Sequence, residues 1–293
     1  MPQVAVVTGA NSGIGRATAI HLAAKGFEVY GTVRDPARAT KLEAMAAERG
    51  AQVELVELDV ADDESVRAGF ASILERTGGR VDVLVNNAGV GGNAVVEDAT
   101  PADLLEVMNV NLCGAARCAQ AVLPGMRARR SGAIVNVTSV VGRIGALAQA
   151  PYTASKWALE GLSEELAIEL APFGVRVVII EPGITKSAIF AKNVDVPGSS
   201  KDYEPHYRRM MQMYAVGIPA ATDPFEVAEV IHDAVTTSTP RLRYRTSWGG
   251  EELIGGRERL SDEEWVAIGA VAADDDEAYY HRFQEAFGLD LRG

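Results

Sequence analysis

The chain has few of the residues that build metal sites and disulfide frameworks. Its 293 residues include only 2 cysteines and 4 histidines. Cys113 and Cys118 fall on one predicted helix, at a spacing that fits neither a redox pair nor a zinc site. We therefore expect buried, reduced thiols, as in a cytoplasmic protein. The histidines are scattered without the spacing of metal ligands, so the sequence predicts no metal site.

An excess of basic charge is also absent. The chain has 28 lysines and arginines against 40 acidic residues, which gives a formal net charge of -12. Binding to nucleic acid or to an acidic membrane surface needs a basic field, so we expect neither partner. No apolar run approaches the length of a membrane-spanning helix. The first apolar run, Val4–Val7, lacks the basic residues that open a signal peptide, and this again favours a cytoplasmic protein.

What is present is a regular alternation of apolar runs and helical stretches over roughly the first 180 residues. The apolar runs are short and rich in Val, Ile and Leu, as expected for strands buried on both faces, and they occupy residues 4–7, 28–33, 53–58, 81–85, 133–137 and 175–180. The helical stretches occupy residues 15–25, 37–49, 63–76, 102–127 and 153–170. This alternation predicts an α/β fold with a doubly wound parallel sheet of the Rossmann type.

The pattern changes after Gly183. Residues 203, 207, 210, 211 and 214 are apolar or aromatic and follow the rhythm of one helix face. Further helices are expected at 224–234, after a capping box that opens at Ser261, and after the acidic run 274–277. Residues 241–246 alternate as a late or edge strand does. Because no repeat and no clear linker interrupts the chain, we expect one domain over residues 1–293, with residues 240–293 as a C-terminal extension.

A glycine-rich turn follows the first strand directly and opens the first helix. Gly9, Gly13 and Gly15 stand where a side chain would obstruct either the tight turn or an approaching phosphate. Free N–H groups and the helix dipole favour phosphate at such a turn. The turn therefore predicts a dinucleotide site, although short glycine motifs also occur in ordinary turns.

The end of the second strand bears on which dinucleotide would bind. Val33 stands where a carboxylate would contact the adenosine ribose, and Arg34 follows it. A guanidinium matches the geometry of a 2′-phosphate, so the sequence favours NADP(H). A shift of one residue in strand register would bring Asp35 to the ribose instead and would favour NAD(H). Further along, the carboxylate of Asp59 is a candidate acceptor for the adenine amino group.

Four residues are candidates for proton transfer. Tyr152 and Lys156 are neighbours on one helix face, and a nearby ammonium is expected to lower the pKa of the phenol. Ser139 ends the strand before this helix and is a candidate to bind the substrate oxygen. Asn111 is a candidate to hold a water that relays protons to Lys156. Taken singly, the serine and the asparagine have equally ordinary structural interpretations.

Taken together, these motifs resemble the short-chain dehydrogenase/reductase family. The glycine turn, Asn86-Asn87-Ala88-Gly89, the four candidate residues above and Pro182-Gly183 occur in the family's order, from residue 4 to about residue 190. The resemblance implies a Rossmann fold and a catalytic tetrad in which Tyr152 is the acid in reduction and the base in oxidation. It also implies a homo-oligomer, a dimer or tetramer built on the helices at 102–127 and 153–170. The stretch 29–35 further resembles 17β-hydroxysteroid and retinol dehydrogenase-like members, in which an arginine at position 34 accompanies NADP(H).

The resemblance extends to the remaining cofactor contacts. Besides Tyr152 and Lys156, it implies a set of turn and strand-end residues: Gly9, Asn11, Ser12, Gly13, Ile14, Gly15, Arg34, Asp59, Val60, Asn87, Ala88, Gly89, Pro182, Gly183, Ile184 and Ser187. Ser187 stands where the family often has threonine, and its hydroxyl can still reach a carboxamide.

Residues 185–222 fall where this family places its substrate lid, and the lid here is rich in tyrosine and methionine. We expect it to cover a small-molecule substrate, an apolar ketone or secondary alcohol such as a steroid-like or long-chain carbonyl compound. The expected substrate contacts are Val141, Leu147, Gln149, Ile184, Tyr207 and Met211. The alternative function is a non-catalytic dinucleotide sensor or scaffold on the same fold, which has no need of the complete tetrad.

Overall fold

The computed structural model of the protein describes residues 1–187 and 201–292. The strands are β1 (Val4–Val7), β2 (Glu28–Val33), β3 (Val53–Glu57), β4 (Val83–Asn86), β5 (Gly132–Val137), β6 (Val175–Pro182) and β7 (Arg243–Thr246). The helices are α1 (Gly13–Ala24), α2 (Thr40–Glu48), α3 (Asp63–Arg76), α4 (Pro101–Met108), α5 (Gly114–Arg129), α6 (Ala150–Leu170), α7 (Glu204–Gly217), α8 (Pro224–Thr236), α9 (Gly250–Arg259), α10 (Asp262–Gly269) and α11 (Asp276–Phe287).

The strands form one parallel sheet in the order β3-β2-β1-β4-β5-β6-β7. Strand order reverses between β1 and β4, which pair directly with Val7 beside Val85. In sheets of this kind the connections leave a crevice at the carboxyl ends of the strands, at the point of reversal. The expected doubly wound sheet is confirmed, and β7 is the edge strand that the alternation at 241–246 predicts.

Both faces of the sheet are buried, as the short apolar runs require. On one face, Phe70 and Ile73 of α3 and Met126 of α5 pack against the strands. On the other face, Leu22 of α1 and Ile231 of α8 do the same. The result is a three-layer sandwich whose rigid core holds the strand ends in fixed positions.

The helix expected over residues 102–127 is present without a gap from Pro101 to Arg129, but it contains one irregular turn that the sequence interpretation did not predict. Between α4 and α5 lies one π turn, Asn109–Cys113, in which the Gly114 N–H donates to the carbonyl oxygen of Asn109. A π turn accommodates one extra residue within a longer α-helix, and such turns are frequent at functional sites. The expectation of two buried thiols is also wrong at one position, because Cys118 is buried but Cys113 is exposed.

The C-terminal extension packs on the sheet domain. Leu253 of α9, Ile268 of α10 and Phe283 of α11 share a cluster with Val141 and Ile144, which lie in the connection between β5 and α6. Helix α7 buries Tyr207, Met210 and Tyr214, so the predicted apolar face is largely correct. No helix within residues 1–187 and 201–292 combines the length and apolarity that crossing a membrane requires.

The glycine turn itself rests against the end of β4. A Cβ on Gly15 would lie 2.2 Å from Nδ2 of Asn87 and 2.6 Å from the carbonyl oxygen of Gly9. The same Nδ2 donates to the carbonyl oxygen of Thr8 at 2.9 Å. Thr8 in turn accepts, through Oγ1, the N–H groups of Asn87 and Ala88, both at 3.0 Å. The absence of a side chain at Gly15 therefore sets how closely α1 approaches the neighbouring strand.

We expect Gly15→Ala to lower the free energy of unfolding by about 1–3 kcal/mol, because the new methyl group must displace Asn87. Gly161→Ala is the matched control, since Gly161 is also helical and has no atom within 4 Å of its would-be Cβ. The control should be neutral or stabilising by up to about 1 kcal/mol. Urea denaturation of the two variants measures the difference, and equal midpoints would contradict the packing role of Gly15.

Candidate active site

A cavity of about 1640 Å³ runs along the carboxyl edge of the sheet. One end is lined by charged residues that include Arg34, Arg38 and Lys41. The middle crosses the point of strand reversal and reaches Ser139, Tyr152 and Lys156. The far end lies under α7 and the C-terminal helices and is lined mainly by apolar side chains, which are Met210, Met213, Tyr214, Leu253, Trp265, Ile268 and Phe283.

The glycine turn forms a cradle at the cavity wall. Gly9 and Gly13 have φ values of +65° and +53°, a left-handed conformation that L side chains rarely adopt. A Cβ on Gly9 would lie 2.9 Å from Cα of Ala88, and one on Gly13 would lie 2.9 Å from Cβ of Ser187. The Ser12 side chain makes no hydrogen bond to the first turn of α1, so it does not cap this positive helix end. The cradle fits a pyrophosphate.

Most of the cofactor residues expected from the sequence line this cavity. They are Gly9, Asn11, Ser12, Gly13, Ile14, Arg34, Asp59, Val60, Asn87, Ala88, Gly89, Tyr152, Lys156, Pro182, Gly183, Ile184 and Ser187. Gly15 is the exception: it packs on Asn87 behind the turn and does not line the cavity. The Pro182-Gly183 turn is held against the segment after β7, where the Ile184 N–H donates to the carbonyl oxygen of Trp248 at 2.9 Å.

The charged end of the cavity separates the roles of Arg34 and Asp35. The Asp35 carboxylate accepts the Ala37 N–H at 3.0 Å and caps the short turn that follows β2. Arg34 is exposed and makes no hydrogen bond or ion pair with residues 1–187 or 201–292. Arg16, Arg38 and Lys41 stand at the same end, and the sequence interpretation missed all three. They come from three separate elements, so no local motif marks them.

Three catalytic candidates meet at the middle of the cavity. The side chains of Ser139 and Tyr152 are neighbours, and the serine hydroxyl lowers the pKa of the phenol. The Lys156 Nζ donates to the carbonyl oxygen of Val137 at 2.9 Å and lies 5.6 Å from the centroid of the Tyr152 ring. Helix α6 brings Tyr152 and Lys156 to one face because they are four residues apart. Strand β5 ends two residues before Ser139 and delivers its hydroxyl to the same point.

Burial sets the protonation states of this group. It raises the pKa of Tyr152 to about 12, and the neighbouring Ser139 side chain offsets only part of that rise. Burial also lowers the pKa of Lys156 to about 8, against the influence of Glu160, which raises it. The expectation of a lowered pKa for Tyr152 is therefore wrong, because the loss of water on burial disfavours the phenolate. The phenol keeps its proton throughout the neutral range.

The fourth candidate, Asn111, does not line the cavity. It lies in the π turn, where its Oδ1 accepts the Val90 N–H at 2.8 Å. Its Nδ2 donates to the carbonyl oxygen of Val90 and to Oγ of Ser155, both at 2.9 Å. The side chain is thus bonded to protein partners and holds the Val90 loop against α6. The geometry therefore does not support a relay water held by this side-chain amide.

The substrate residues divide into two groups. Val141, Leu147, Gln149 and Ile184 line the cavity as expected, but Tyr207 and Met211 do not. The Tyr207 hydroxyl accepts the Val95 N–H at 3.1 Å and donates to Oδ2 of Asp98, so this side chain braces α7. Met211 points away from the cavity and is 38% exposed. Met210 and Met213 take its place, a difference of one residue in the direction of the helix face.

Comparisons with known proteins agree with this geometry. A family model described as short chain dehydrogenase matches residues 3–196. The mouse protein 17-beta-hydroxysteroid dehydrogenase type 1 is 40% identical over 255 residues, which are 83% of this chain and 73% of that protein. Human retinol dehydrogenase 8 is 36% identical over 259 residues, which are 84% of this chain and 82% of that protein.

Solved structures give the same result. A short-chain dehydrogenase from Streptomyces avermitilis superposes with a TM-score of 0.77 at 35% identity and covers 92% of this chain and 98% of its own. A metagenomic short-chain oxidoreductase, solved in complex with NADP, has a TM-score of 0.66 at 31% identity and covers 83% of this chain and 95% of its own. With the glycine cradle and the group around Tyr152 already in place, these matches lead to one conclusion: the chain belongs to the short chain dehydrogenase family, and it is an oxidoreductase.

Proposed function

We propose that this protein transfers a hydride between NADP(H) and an apolar ketone or secondary alcohol. The observation that carries the proposal is the meeting of Ser139, Tyr152 and Lys156 at one point of the cavity wall, beside a cavity whose other half fits a dinucleotide. The bound nicotinamide supplies or accepts the hydride. The remaining chemistry, a proton given to or taken from the substrate oxygen, falls to the side chains of this chain.

In the reduction direction, Tyr152 is the proton donor. Its raised pKa keeps the phenol protonated at neutral pH, as a general acid requires. The Ser139 hydroxyl lies beside Tyr152, so a carbonyl oxygen at this point can meet both hydroxyl groups. As the oxygen takes the Tyr152 proton, a phenolate forms, and the ammonium of Lys156 stabilises that negative charge. In oxidation the same phenolate takes the proton of the alcohol.

Preference for NADP(H) rests on the charged end of the cavity. Arg34 is free to bind a 2′-phosphate. Asp35 is the residue that would favour NAD(H), but its carboxylate already accepts a hydrogen bond from the Ala37 N–H. Arg38 and Lys41 add positive charge at the same end. The metagenomic relative in complex with NADP supports the same choice.

Preference for an apolar substrate rests on the far end of the cavity. Met210, Met213 and Tyr214 of α7 face Leu253, Trp265 and Phe283 of the C-terminal helices across this space. We propose that residues 185–222 act as the lid and residues 240–293 as the outer wall, although residues 188–200 of that lid lie outside the described part of the chain. Relatives named for hydroxysteroids and retinol are consistent with an extended apolar ligand.

A non-catalytic sensor is the weaker alternative. Binding a dinucleotide needs the glycine cradle, but it does not need a lysine and a tyrosine buried together at the cavity wall. Burying Lys156 costs free energy, as its lowered pKa records. A catalytic role for Lys156 explains why a lysine is buried here despite this cost. A homo-oligomer also remains our proposal, supported by the exposed apolar side chains Leu105 on α4 and Trp157 and Ile168 on α6.

We expect Tyr152→Phe to reduce the rate of carbonyl reduction by about 10²–10⁴-fold, because the proton donor is removed. The affinity for NADPH, measured through the quenching of tryptophan fluorescence, should be nearly unchanged. Tyr207→Phe is the matched control, since it deletes a buried hydroxyl that lies outside the cavity. Oxidation of NADPH at 340 nm measures turnover, and a Tyr152→Phe enzyme as fast as the control would refute the role of Tyr152.

Arg34→Ala tests the cofactor preference. A hydrogen-bonded charge contributes about 1.5–3 kcal/mol, so kcat/KM with NADPH should fall roughly 10- to 150-fold while kcat/KM with NADH changes little. Arg67→Ala serves as the control, because Arg67 is an exposed arginine of α3 whose partner is Glu64. If Arg34→Ala leaves the NADPH value intact, the phosphate-binding role is wrong.

A series of methyl ketones that differ only in chain length tests the substrate preference. Each buried CH₂ contributes about 0.8 kcal/mol, so kcat/KM should rise roughly fourfold per carbon until the far end of the cavity is filled. Met213→Glu places a carboxylate there and should weaken the gain from long chains but not the value for the shortest ketone. Met211→Glu makes the same change on the exposed side of α7 and should have no such effect. Turnover confined to small polar sugars or acids would overturn the proposal.

A further inference from the structure

Glu160 is a buried carboxylate that the reaction described above does not use. It stands one helical turn beyond Lys156 and two turns beyond Tyr152 on α6, and it is only 4% exposed. It does not line the cavity. Glutamate is almost never buried unless it is paired, so this position calls for an explanation in terms of its partners.

The partners of Glu160 lie on two strands. Its Oε1 accepts the hydroxyl of Thr138 at 2.6 Å, and its Oε2 accepts Nε of Arg243 at 3.0 Å. Thr138 directly precedes Ser139 in the chain. Arg243 begins β7, the edge strand that leads into the C-terminal helices. One carboxylate therefore links the catalytic helix, the residue before the catalytic serine, and the edge strand.

A second buried carboxylate extends this link. Glu181 of β6 is fully buried and lies 3.0 Å from Nη1 of Arg143, 3.4 Å from Nε of Arg243 and 3.9 Å from Nε of Arg245. Three arginines thus lie beside the two carboxylates, as buried charges require, and they also pair with the more exposed Glu164, Glu251 and Glu258. The pKa of Glu181 is raised by burial and by the charge of Glu160, and the hydrogen bond and charge of Arg143 act against that rise.

We propose that Glu160 is a positioning residue: its carboxylate fixes the Thr138-Ser139 strand end against α6 and couples the catalytic lysine to the arginines of β7. Two actions follow from the contacts. Through Thr138, Glu160 sets where the Ser139 hydroxyl stands. Through its charge, it favours the ammonium form of Lys156, which burial alone would disfavour further.

The sign of the effect on pH dependence follows from the charges around Lys156. Glu160, on the same helix, is the charge that raises the pKa of Lys156. Further ionisable groups lie on this helix and on the elements packed around it. These are Tyr152 on α6, Arg143 between β5 and α6, Glu181 on β6, and Arg243 and Arg245 on β7. Lys156 has a pKa of about 8, so reduction assisted by its ammonium should be complete below that pH and should fall as the pH rises through it.

The test compares Glu160→Gln with Glu164→Gln, and it rests on the proposed reductase activity. Both residues lie on α6 and bond to Arg243, but Glu164 is 56% exposed and does not contact Thr138. Glu160→Gln should shift the alkaline fall of kcat/KM to lower pH by about one unit. Glu164→Gln should leave the wild-type midpoint unchanged. Coinciding midpoints in the two variants would overturn the coupling.

Thr138→Val separates the two actions. It removes the hydroxyl that bonds to Glu160 and keeps the charge, so kcat should fall about two- to tenfold while the pH midpoint stays where it is. Glu160→Asp, which keeps the charge but shortens the reach, should likewise retain the midpoint. A Thr138→Val enzyme with unchanged kcat would overturn the positioning of Ser139.

A second measurement keeps the test independent of turnover. NMR titration of 15N-labelled lysine follows Lys156 directly, since the chain contains few lysines. The midpoint should fall in Glu160→Gln and rise in Arg243→Gln, which removes the positive charge 3.0 Å from Glu160. Either folded variant alone decides the matter, and an unmoved midpoint overturns the coupling. A wild-type protein that reduces no carbonyl would instead overturn the proposed function, with the NMR result unaffected.

Discussion

The close contact between the glycine turn and the end of β4 is the constraint on which the rest of the site depends. Thr8 and Asn87 hold these two segments together by hydrogen bonds, and Gly9 and Gly15 leave no room for a side chain between them. The strand order reverses at this contact, so the crevice at the carboxyl ends of the strands opens beside it. The cradle and the catalytic group then face each other across a distance that the rigid core maintains.

Burial is the second organising influence, and it acts on charge. Tyr152 and Lys156 both lie where the charged form of each is disfavoured, so the pair holds a protonated phenol beside an amine that titrates near pH 8. At neutral pH such a pair places a protonated phenol, as a general acid requires, beside a cation that can stabilise the phenolate formed when the proton leaves. The carboxylate of Glu160 limits how far the amine can be driven towards its neutral form. The catalytic centre is thus continuous with a charged layer behind it.

The sequence predicts the strands and helices of this protein well, but it predicts the substrate end of the cavity poorly. The strands β2 and β6 could be located closely because each is a short apolar run bounded by turn residues, and the family motifs fall at the ends of such strands. The π turn at Asn109–Cys113 was not predicted, because it is a single turn inside a longer helix and no motif in the sequence marks it. Helical periodicity indicated the apolar face of α7, but it did not give the direction of that face to within one residue. Met210 and Met213 line the cavity, and the expected Met211 does not.

Properties that depend on three-dimensional burial were also out of reach. The pKa of Tyr152 was expected to fall because a lysine is near, and it rises because water is excluded. Arg38, Lys41 and Trp265 line the cavity from elements with no shared motif, so only the folded chain brings them together. Glu160 looks like any other glutamate on a helix until Thr138 and Arg243 are found beside it.

The central claim, hydride transfer to a carbonyl carbon, is tested most directly by following an isotope. NADPH carrying deuterium at both hydrogen positions of nicotinamide C4 would be incubated with the wild-type protein and a long-chain methyl ketone, and the product would be examined by mass spectrometry. We expect a secondary alcohol that is one mass unit heavier, with the deuterium on the carbinol carbon. An alcohol without deuterium, or no alcohol at all from any ketone with either nicotinamide, would contradict the assignment.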